Sequence, residues 1–319
     1  MLLQLCGAVA LAVLSANAAA QAYPAKPVRF VVPYPPGGVN DIVARLIGSR
    51  MAAALGSQWI VDNRAGRGGI IGAEAVSKAQ PDGYTLVHGG MGSFTLAPFL
   101  GKVPYDSLRD FTPITLTARA PNVLAVHPSL PPRTVKELIA LAKSRPGELN
   151  YATPGVGSTP HLTAALFVSM SGVRMVHIPY KGGAPATIDL LAGQVPVGFA
   201  PIASLAPQIT SGRLRGLGVT SLQRSPSLPN VPTLSEAGLA GFEMNPWFGV
   251  LAPAAVPAEV IGKLNAELVR ILRTPEIAQQ FAAHGVEAAH STAEEFVAVI
   301  RSDLQKWGKV IGEAGIKGE

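Results

Sequence analysis

The chain has 319 residues, of which 48% are hydrophobic and 14% charged, and its formal net charge is +6. This is the composition of a globular protein with room for two domains, and it excludes an intrinsically disordered chain. The basic residues do not cluster and aromatic residues make up only 6%, so we expect no nucleic-acid partner. A mild positive excess favours anionic small molecules.

The N-terminal segment differs in composition from the rest of the chain. An uncharged apolar run, residues 2–14, is followed by small residues at 18–20. This pattern predicts a secretory signal peptide over residues 1–22. Cys6, the only cysteine, lies in this segment, so the mature chain has no disulfide. A secreted chain without cysteine favours a bacterial periplasm, and no later segment has the length and hydropathy of a membrane span.

The first predicted unit is a strand, a glycine turn and a helix. The apolar run Val28–Val32 predicts a buried strand, and apolar residues from Ile42 onward recur at helical spacing. Asn40 or Asp41 suits the N-cap position. Between them, Gly37 and Gly38 let an anion approach the free N–H groups of the helix start. The alternative is a tight βα turn without a ligand.

The same arrangement recurs further along the chain. The predicted strands are 58–61, 84–88, 149–152 and 176–180, and the glycine-rich loops after them are 62–69, 89–93, 153–160 and 181–185. The loop at 62–69 is not a dinucleotide fingerprint, because Ile71 stands where the third glycine is needed. In open α/β sheets, ligands bind at the carboxyl ends of the strands, so these loops predict one binding cleft.

The other predicted elements complete an α/β chain. Thr134 with Glu137, and Thr292 with Glu295, form the sequence pattern of a capping box. Residues 225–232 are rich in proline and predict an extended linker. Further strands are predicted at 111–125, 195–199, 214–220 and 247–251, and further helices at 135–143, 161–170, 186–192, 258–272, 275–284 and 293–310.

No catalytic or metal-binding pattern is present in the sequence. The histidines are scattered, and residues 155–159 do not match the nucleophile elbow G-x-S-x-G. His161 opens a helix beside a glycine loop, where it binds a ligand or packs, and Lys181 either pairs with an anion or is solvated. We therefore expect no catalytic residue, no metal, no cofactor and no enzyme activity, but a binding protein.

Several segments together resemble the Bug family, the periplasmic substrate-binding proteins of tripartite tricarboxylate transporters. The resemblance covers residues 23–316. The segments are 23–29 (YPAKPVR), 32–38 (VPYPPGG), 81–86 (PDGYTL), 105–106 (YD), 177–182 (HIPYKG) and 247–249 (WFG).

The resemblance implies a fold and a set of boundaries. The fold is α/β, a two-lobed periplasmic binding protein of type II-like architecture with a central ligand cleft and a hinge. The chain crosses twice between the lobes. Lobe one would be residues 23–122 plus 222–319, and lobe two residues 123–221.

The resemblance also implies the ligand contacts, mainly through backbone groups of the glycine loops. The residues so assigned are Pro36, Gly37, Gly38, Val39, Asn40, Arg67, Gly68, Gly69, Met91, Ser93, Gly157, Ser158, Thr159, His161, Lys181, Gly182, Gly183, Ala184, Ala200 and Pro201. Family members often carry Asp at the position of Ala200, and its absence predicts a ligand without an amine. Arg67, where the family usually has a small residue, is a candidate partner for a second carboxylate or a solvent-exposed side chain. Residues 97–98 are Ala-Pro where the family often has Asn-Pro.

The resulting functional prediction is a periplasmic receptor that captures a small organic acid and delivers it to membrane permease subunits. The acid would be a di- or tricarboxylate or an aromatic carboxylate, and the receptor would be a monomer. The first alternative is a ligand sensor for a signalling receptor. The second is a secreted hydrolase or isomerase that uses the same cleft.

Overall fold

The computed structural model describes residues 23–317, which form two mixed sheets with helices packed around them. The predicted signal peptide, with Cys6, lies outside the described residues. The first sheet has the strand order β11–β4–β10–β3–β1–β2. Its strands are β1 (Val28–Val32), β2 (Trp59–Asn63), β3 (Thr85–Gly90), β4 (Phe111–Arg119), β10 (Trp247–Pro253) and β11 (Glu287–Ala288).

Parallel pairing in the middle of this sheet explains its apolar sequence. β1 pairs in parallel with both β2 and β3. A strand covered by helices on both faces has no solvent side, so four of the five residues of Val28–Val32 are apolar and buried, and the exception, Arg29, is half-buried and paired with Asp62. β10 is antiparallel to β3 and β4, and β11 is antiparallel to β4.

The second sheet has the strand order β7–β6–β8–β5–β9. Its strands are β5 (Asn122–Val126), β6 (Asn150–Thr153), β7 (Val176–Pro179), β8 (Val197–Pro201) and β9 (Arg215–Val219). β6 runs parallel to β7 and β8, whereas β5 is antiparallel to β8 and β9. Two mixed sheets in one chain confirm the predicted two-lobed α/β architecture.

Within the described residues, ten helices lie around the two sheets, and all but the two at 97–100 and 202–210 were predicted from the sequence. They are α1 (Val39–Leu55), α2 (Ile70–Ser77), α3 (Ala97–Leu100), α4 (Val135–Ser144), α5 (Thr159–Ser171), α6 (Gly183–Leu191), α7 (Ile202–Thr210), α8 (Ala258–Leu272), α9 (Pro275–Ala283) and α10 (Ala293–Ala314). Two short turns of 3-10 and π type, Arg67–Gly69 and Gly92–Leu96, precede α2 and α3.

The two predicted capping boxes differ in detail. At α10, Thr292 Oγ1 accepts from the N–H of Glu295 at 3.1 Å, and Glu295 Oε2 accepts from the N–H of Thr292 at 2.9 Å. At α4, Thr134 Oγ1 accepts from the N–H of Glu137, but Glu137 Oε2 accepts from Arg133 N–H. In the second motif the Glu137 carboxylate therefore binds the backbone of the residue before the N-cap, so the reciprocal bond of a capping box is not formed.

The chain passes between the two sheets at two adjacent segments. The predicted strand 111–125 is two strands, because Ala120 and Pro121 break it between β4 and β5. The return passage is at Asn245–Pro246. The N–H of Ala120 donates to Pro246 O at 2.8 Å, so the two crossings lie side by side as a hinge.

The proline-rich stretch 225–232 is not an extended linker, which corrects the sequence prediction. Its Leu228 and Val231 are buried against the second sheet. Around it, Val219 N–H donates to Pro232 O, and Thr220 exchanges hydrogen bonds with Met244. The lobe boundary at residue 222 stays a prediction, and these contacts favour a later boundary near Asn245.

Helix α10 joins the two lobes on the side away from strand β2. It packs against β4 of the first sheet and against α5 of the second lobe. Trp307 on this helix is fully buried in a core cluster that contains residues of both lobes. In the described range, 23–317, no helix is long and apolar enough to cross a membrane.

Candidate functional site

A cavity of about 560 Å³ lies between the two lobes, at the carboxyl ends of β1, β3 and β6. Its lining includes nine of the residues assigned from the sequence. They are Gly38, Val39, Asn40, Gly68, Met91, Gly157, Ser158, Thr159 and Pro201. The glycine loops of both lobes therefore face one space, as expected for loops that follow parallel strands.

The start of α1 presents unpaired N–H groups to this cavity. Gly38 is the N-cap and has no side chain to satisfy the first turn. The first backbone bond of the helix runs from Ile42 N–H to Gly38 O. The N–H groups of Val39, Asn40 and Asp41 precede it and have no intrahelical acceptor, so they and the helix dipole attract an anion.

Asp41 stabilises this turn, and its negative charge is compensated by Arg45 and so does not repel an anion at the helix start. Its carboxylate accepts from Gly37 N–H at 2.9 Å, Asn63 Nδ2 at 2.9 Å and Arg45 Nε at 3.0 Å. Burial acts to raise the pKa of Asp41, but these hydrogen bonds outweigh it and hold the pKa below its ordinary value. The carboxylate stays ionised and neutralised by Arg45, so it fixes the loop before α1.

Asn40 is the most informative side chain of the lining. It is 4% exposed, and its Oδ1 lies 2.9 Å from His88 Nδ1. The other ring nitrogen, His88 Nε2, lies 2.8 Å from Thr117 Oγ1. Asn40 Nδ2 has no hydrogen-bond partner among the described residues. A buried amide donor without a partner is costly, so Asn40, which lines the cavity, is the candidate donor to a ligand acceptor.

His88 holds the Asn40 amide in this orientation and stays neutral. It is completely buried, and burial lowers its pKa to about 3. With the Nδ1 proton directed to Asn40 Oδ1, Thr117 donates to Nε2, and the Nδ2 donor of Asn40 is left for the cavity.

The low pKa of His88 predicts an acid-sensitive fold. Above pH 6.5 the imidazole is neutral in both states, so the full stability is present; below it, only the unfolded chain takes up the proton. Stability should therefore fall by about 1.4 kcal/mol per pH unit until about pH 3. In urea titrations at about pH 6 and pH 4, His88→Gln should flatten the decline by that slope. Equal slopes in both proteins would contradict this assignment.

In the second lobe the loop before α5 is held by its own side chains. Ser158 Oγ accepts from His161 N–H at 3.3 Å, and Gly157 N–H donates to His161 Nδ1 at 3.1 Å. His161 is thus a positioning residue behind the loop, with its ring stacked on His177 at 3.9 Å. Burial, and then the neighbouring His177, lower the pKa of His161 to about 4. The N–H of Thr159 precedes the first helical bond, and Thr159 lines the cavity.

Eleven of the sequence-assigned residues do not line the cavity. Ser93 is buried behind it with Oγ on Gly90 O, Arg67 donates to Lys102 O, and Ala200 borders a small void beside α6. The four residues at the start of α6 lie at the edge of the second lobe. The full set is Pro36, Gly37, Arg67, Gly69, Ser93, His161, Lys181, Gly182, Gly183, Ala184 and Ala200. Their ligand roles stay predictions.

The sequence reasoning missed the hinge side of the cavity. Four missed residues flank assigned ones, and Trp247 and Phe248 entered only as part of a family motif. The residues missed are Tyr34, Pro35, Gly90, Gly92, Ala120, Ala203, Pro246, Trp247, Phe248, Gly285 and Val286. Gly285 and Val286 carried no signal, because they follow α9, far along the chain from every glycine loop.

The described residues hold no group of three or more potential metal ligands close enough to bind an ion.

Comparison with known proteins identifies the type of receptor. Residues 43–316 match the family described as "Tripartite tricarboxylate transporter family receptor". The chain is 40% identical to the UPF0065 protein in the tcbD-tcbE intergenic region of Pseudomonas sp. (strain P51), over 96% of this chain and 92% of that protein.

Solved structures of similar sequence share the fold. The structure of R. palustris Rpa4515 with adipate is 36% identical, has a TM-score of 0.78, and is aligned over 93% of this chain and 100% of its own. The periplasmic binding protein BugD is also 36% identical, with a TM-score of 0.73 over 93% of this chain and all of its own. These are binding proteins and not enzymes. The chain belongs to the tripartite tricarboxylate transporter receptor family of solute-binding proteins, to which the Bug proteins belong.

Proposed function

We propose that the chain captures an organic carboxylate between its lobes in the periplasm and delivers it to the permease subunits of a tripartite tricarboxylate transporter. The observation that carries the proposal is the unpaired Nδ2 of Asn40, which lies beside the free N–H groups of the α1 start in the wall of the cavity. A carboxylate has two oxygens that accept several such bonds at once.

Both lobes contribute to the same cavity, and this couples binding to closure. The start of α1 belongs to the first lobe, whereas Ser158 and Thr159 belong to the second. A ligand that contacts both sides stabilises the closed arrangement over the open one by its differential contacts. The side-by-side crossings at Ala120 and Pro246 give the lobes a hinge for this motion.

The cellular context of the proposal comes from relatives and from the sequence. BugD is described as a periplasmic binding protein. The signal peptide predicted over residues 1–22 favours the same compartment for this chain, and the family description supports a transporter as the partner. A monomer would suffice, because one chain supplies both walls of the cavity.

The test is a thermal-shift titration of the mature protein with adipate, malate, citrate and benzoate. Choline, a cation, and glucose, a neutral sugar, are the controls without a carboxylate. A bound acid should raise the melting temperature progressively with concentration, since it binds the folded state only. The controls should have no effect. Failure of every acid, with a native circular dichroism spectrum, would refute the proposal.

A further inference from the structure

The lining of the cavity carries no charged side chain among the described residues. Its polar part is the start of α1 with Asn40, together with the loop before α5. The remaining part, here called the apolar wall, comes from the hinge, β10 and the segments around β11 and α7. The apolar wall consists of Ala120, Pro201, Pro246, Trp247, Phe248 and Val286.

Two polar side chains of the lining are bonded within the protein. The indole N–H of Trp247 donates to Asp303 Oδ2 at 2.8 Å, and Ser158 Oγ donates to Gly155 O at 2.7 Å. Among the described lining residues, Asn40 Nδ2 is the only buried side-chain donor without a partner. The start of α1 with Asn40 is therefore the strongest site for an anionic group, because in the first turn of α5 only the N–H of Thr159 is left: Pro160 has no N–H and His161 N–H donates to Ser158 Oγ.

The nearby cations are directed to other acceptors. Arg45 is bound to Asp41, Arg67 donates to Lys102 O at 3.2 Å, and Arg119 donates to Asn245 O at 3.2 Å. A second carboxylate placed against the apolar wall would lose its hydration without gaining a cation. A buried charge without a partner is strongly unfavourable.

The start of α7 also lies at the lining, and it is covered. Gly285 packs so closely there that a Cβ on it would lie 2.1 Å from Ala203 Cβ and 3.4 Å from Ala203 N. The N–H of Ile202 donates to Pro121 O. This helix start therefore has less exposed N–H surface than the start of α1, where a Cβ on Gly38 would have only Pro35 O within 4 Å, at 3.6 Å.

We propose that the ligand is a monocarboxylate with an apolar body, a ring or a hydrocarbon chain, and without an amine. This rests on the proposed function, since it assumes that the cavity binds a carboxylate. The carboxylate occupies the start of α1 and Asn40, and the body packs against the apolar wall beside the Phe248 ring. The cavity volume of about 560 Å³ accommodates a one-ring acid.

The test is isothermal titration with matched pairs of acids. Hexanoate and adipate differ only in a terminal carboxylate, as do benzoate and terephthalate, whereas 3-phenylpropanoate and phenylalanine differ in an amine. The monocarboxylate without an amine should bind at least about tenfold more tightly in every pair. The other acid of each pair carries one more charged group, and that group would have no partner in the cavity. The adipate pair is the sharpest, since a relative was solved with adipate.

A variant pair separates charge from size at the apolar wall. Ala120→Lys adds a cation to the wall, and Ala120→Met adds comparable bulk without charge. We expect Ala120→Lys to shift the hexanoate-to-adipate affinity ratio toward adipate by about tenfold relative to Ala120→Met. An unchanged ratio would overturn the assignment of the apolar wall as the site of the ligand body.

The outcomes distinguish this inference from the proposed function. If adipate or terephthalate binds as tightly as its partner, and Gly38→Asp removes that binding, the inference is wrong and the carboxylate site stands. If none of the acids binds to the folded protein, both are wrong.

Discussion

Gly38→Asp should abolish carboxylate binding and leave the fold intact. Gly38 is the N-cap of α1, with φ −76° and ψ 164°, a conformation that any residue adopts. Asp is a favoured N-cap, so the helix should be stabilised slightly and not disrupted. Its carboxylate would bind the N–H groups that the ligand needs. At about 4 Å and an effective dielectric of about 20, repulsion of about 4 kcal/mol implies a loss of roughly 1,000-fold.

The matched control is Gly38→Asn, which has nearly the same shape and the same capping ability but no charge. A Cβ at this position meets only Pro35 O, at 3.6 Å, so neither variant is excluded sterically. Isothermal titration with benzoate and adipate should show a loss of about tenfold for Asn, from competition for the same N–H groups, and no measurable binding for Asp. Retained affinity in Gly38→Asp would place the anion at another loop.

The second large effect is expected from Gly285→Ala, which should hold the lobes apart. Gly285 belongs to the first lobe and Ala203 to the second, and the added Cβ would lie 2.1 Å from Ala203 Cβ and 2.7 Å from its Cα. The Cβ is the whole side chain of Ala203 and the Cα is backbone, so neither atom can rotate away. The lobes must therefore separate to remove the overlap. Affinity for benzoate or adipate should fall by at least about tenfold, since the ligand then contacts one lobe at a time.

Backbone strain is controlled by Gly172→Ala. Gly172 has φ 65°, close to the 69° of Gly285, but a Cβ there meets nothing within 4 Å. Both variants should lose about 1 kcal/mol of stability from the left-handed conformation, and only Gly285→Ala should lose affinity. Adding Ala203→Gly to Gly285→Ala should restore part of the binding. Small-angle scattering that shows the same closed envelope for Gly285→Ala and the native protein with ligand would contradict the lobe-separation argument.

The predicted elements were close to those observed because they depend on short-range patterns. The apolar run Val28–Val32 forms β1, the cap pattern Thr292–Glu295 begins α10, and Pro257 precedes α8. The glycine loops were informative for the same reason, since positive φ at Gly37 and Gly157 is a local requirement of the turn. Such features need no knowledge of the rest of the chain.

The placements that differed depend on how side chains pack. His161 does not line the cavity, because its ring accepts from Gly157 N–H and stacks on His177, and a ligand role for it stays a prediction. Arg67 is exposed and donates to Lys102 O, and a role toward a second carboxylate stays a prediction. Residues 225–232 looked like a linker, yet Leu228 is buried against the second sheet.

By itself, the sequence determined the class of the fold, the glycine-rich helix starts and the membership of the receptor family, because periodicity, turn chemistry and ordered motifs are written along the chain. Only the tertiary structure decided which residues line the cavity. The Asn40 donor depends on His88 from another strand, and the apolar wall joins Ala120, Pro201, Phe248 and Val286, which are far apart in sequence. The character of a cavity is a sum over the residues that folding brings together, so the loops could be located from the sequence but the wall opposite them could not.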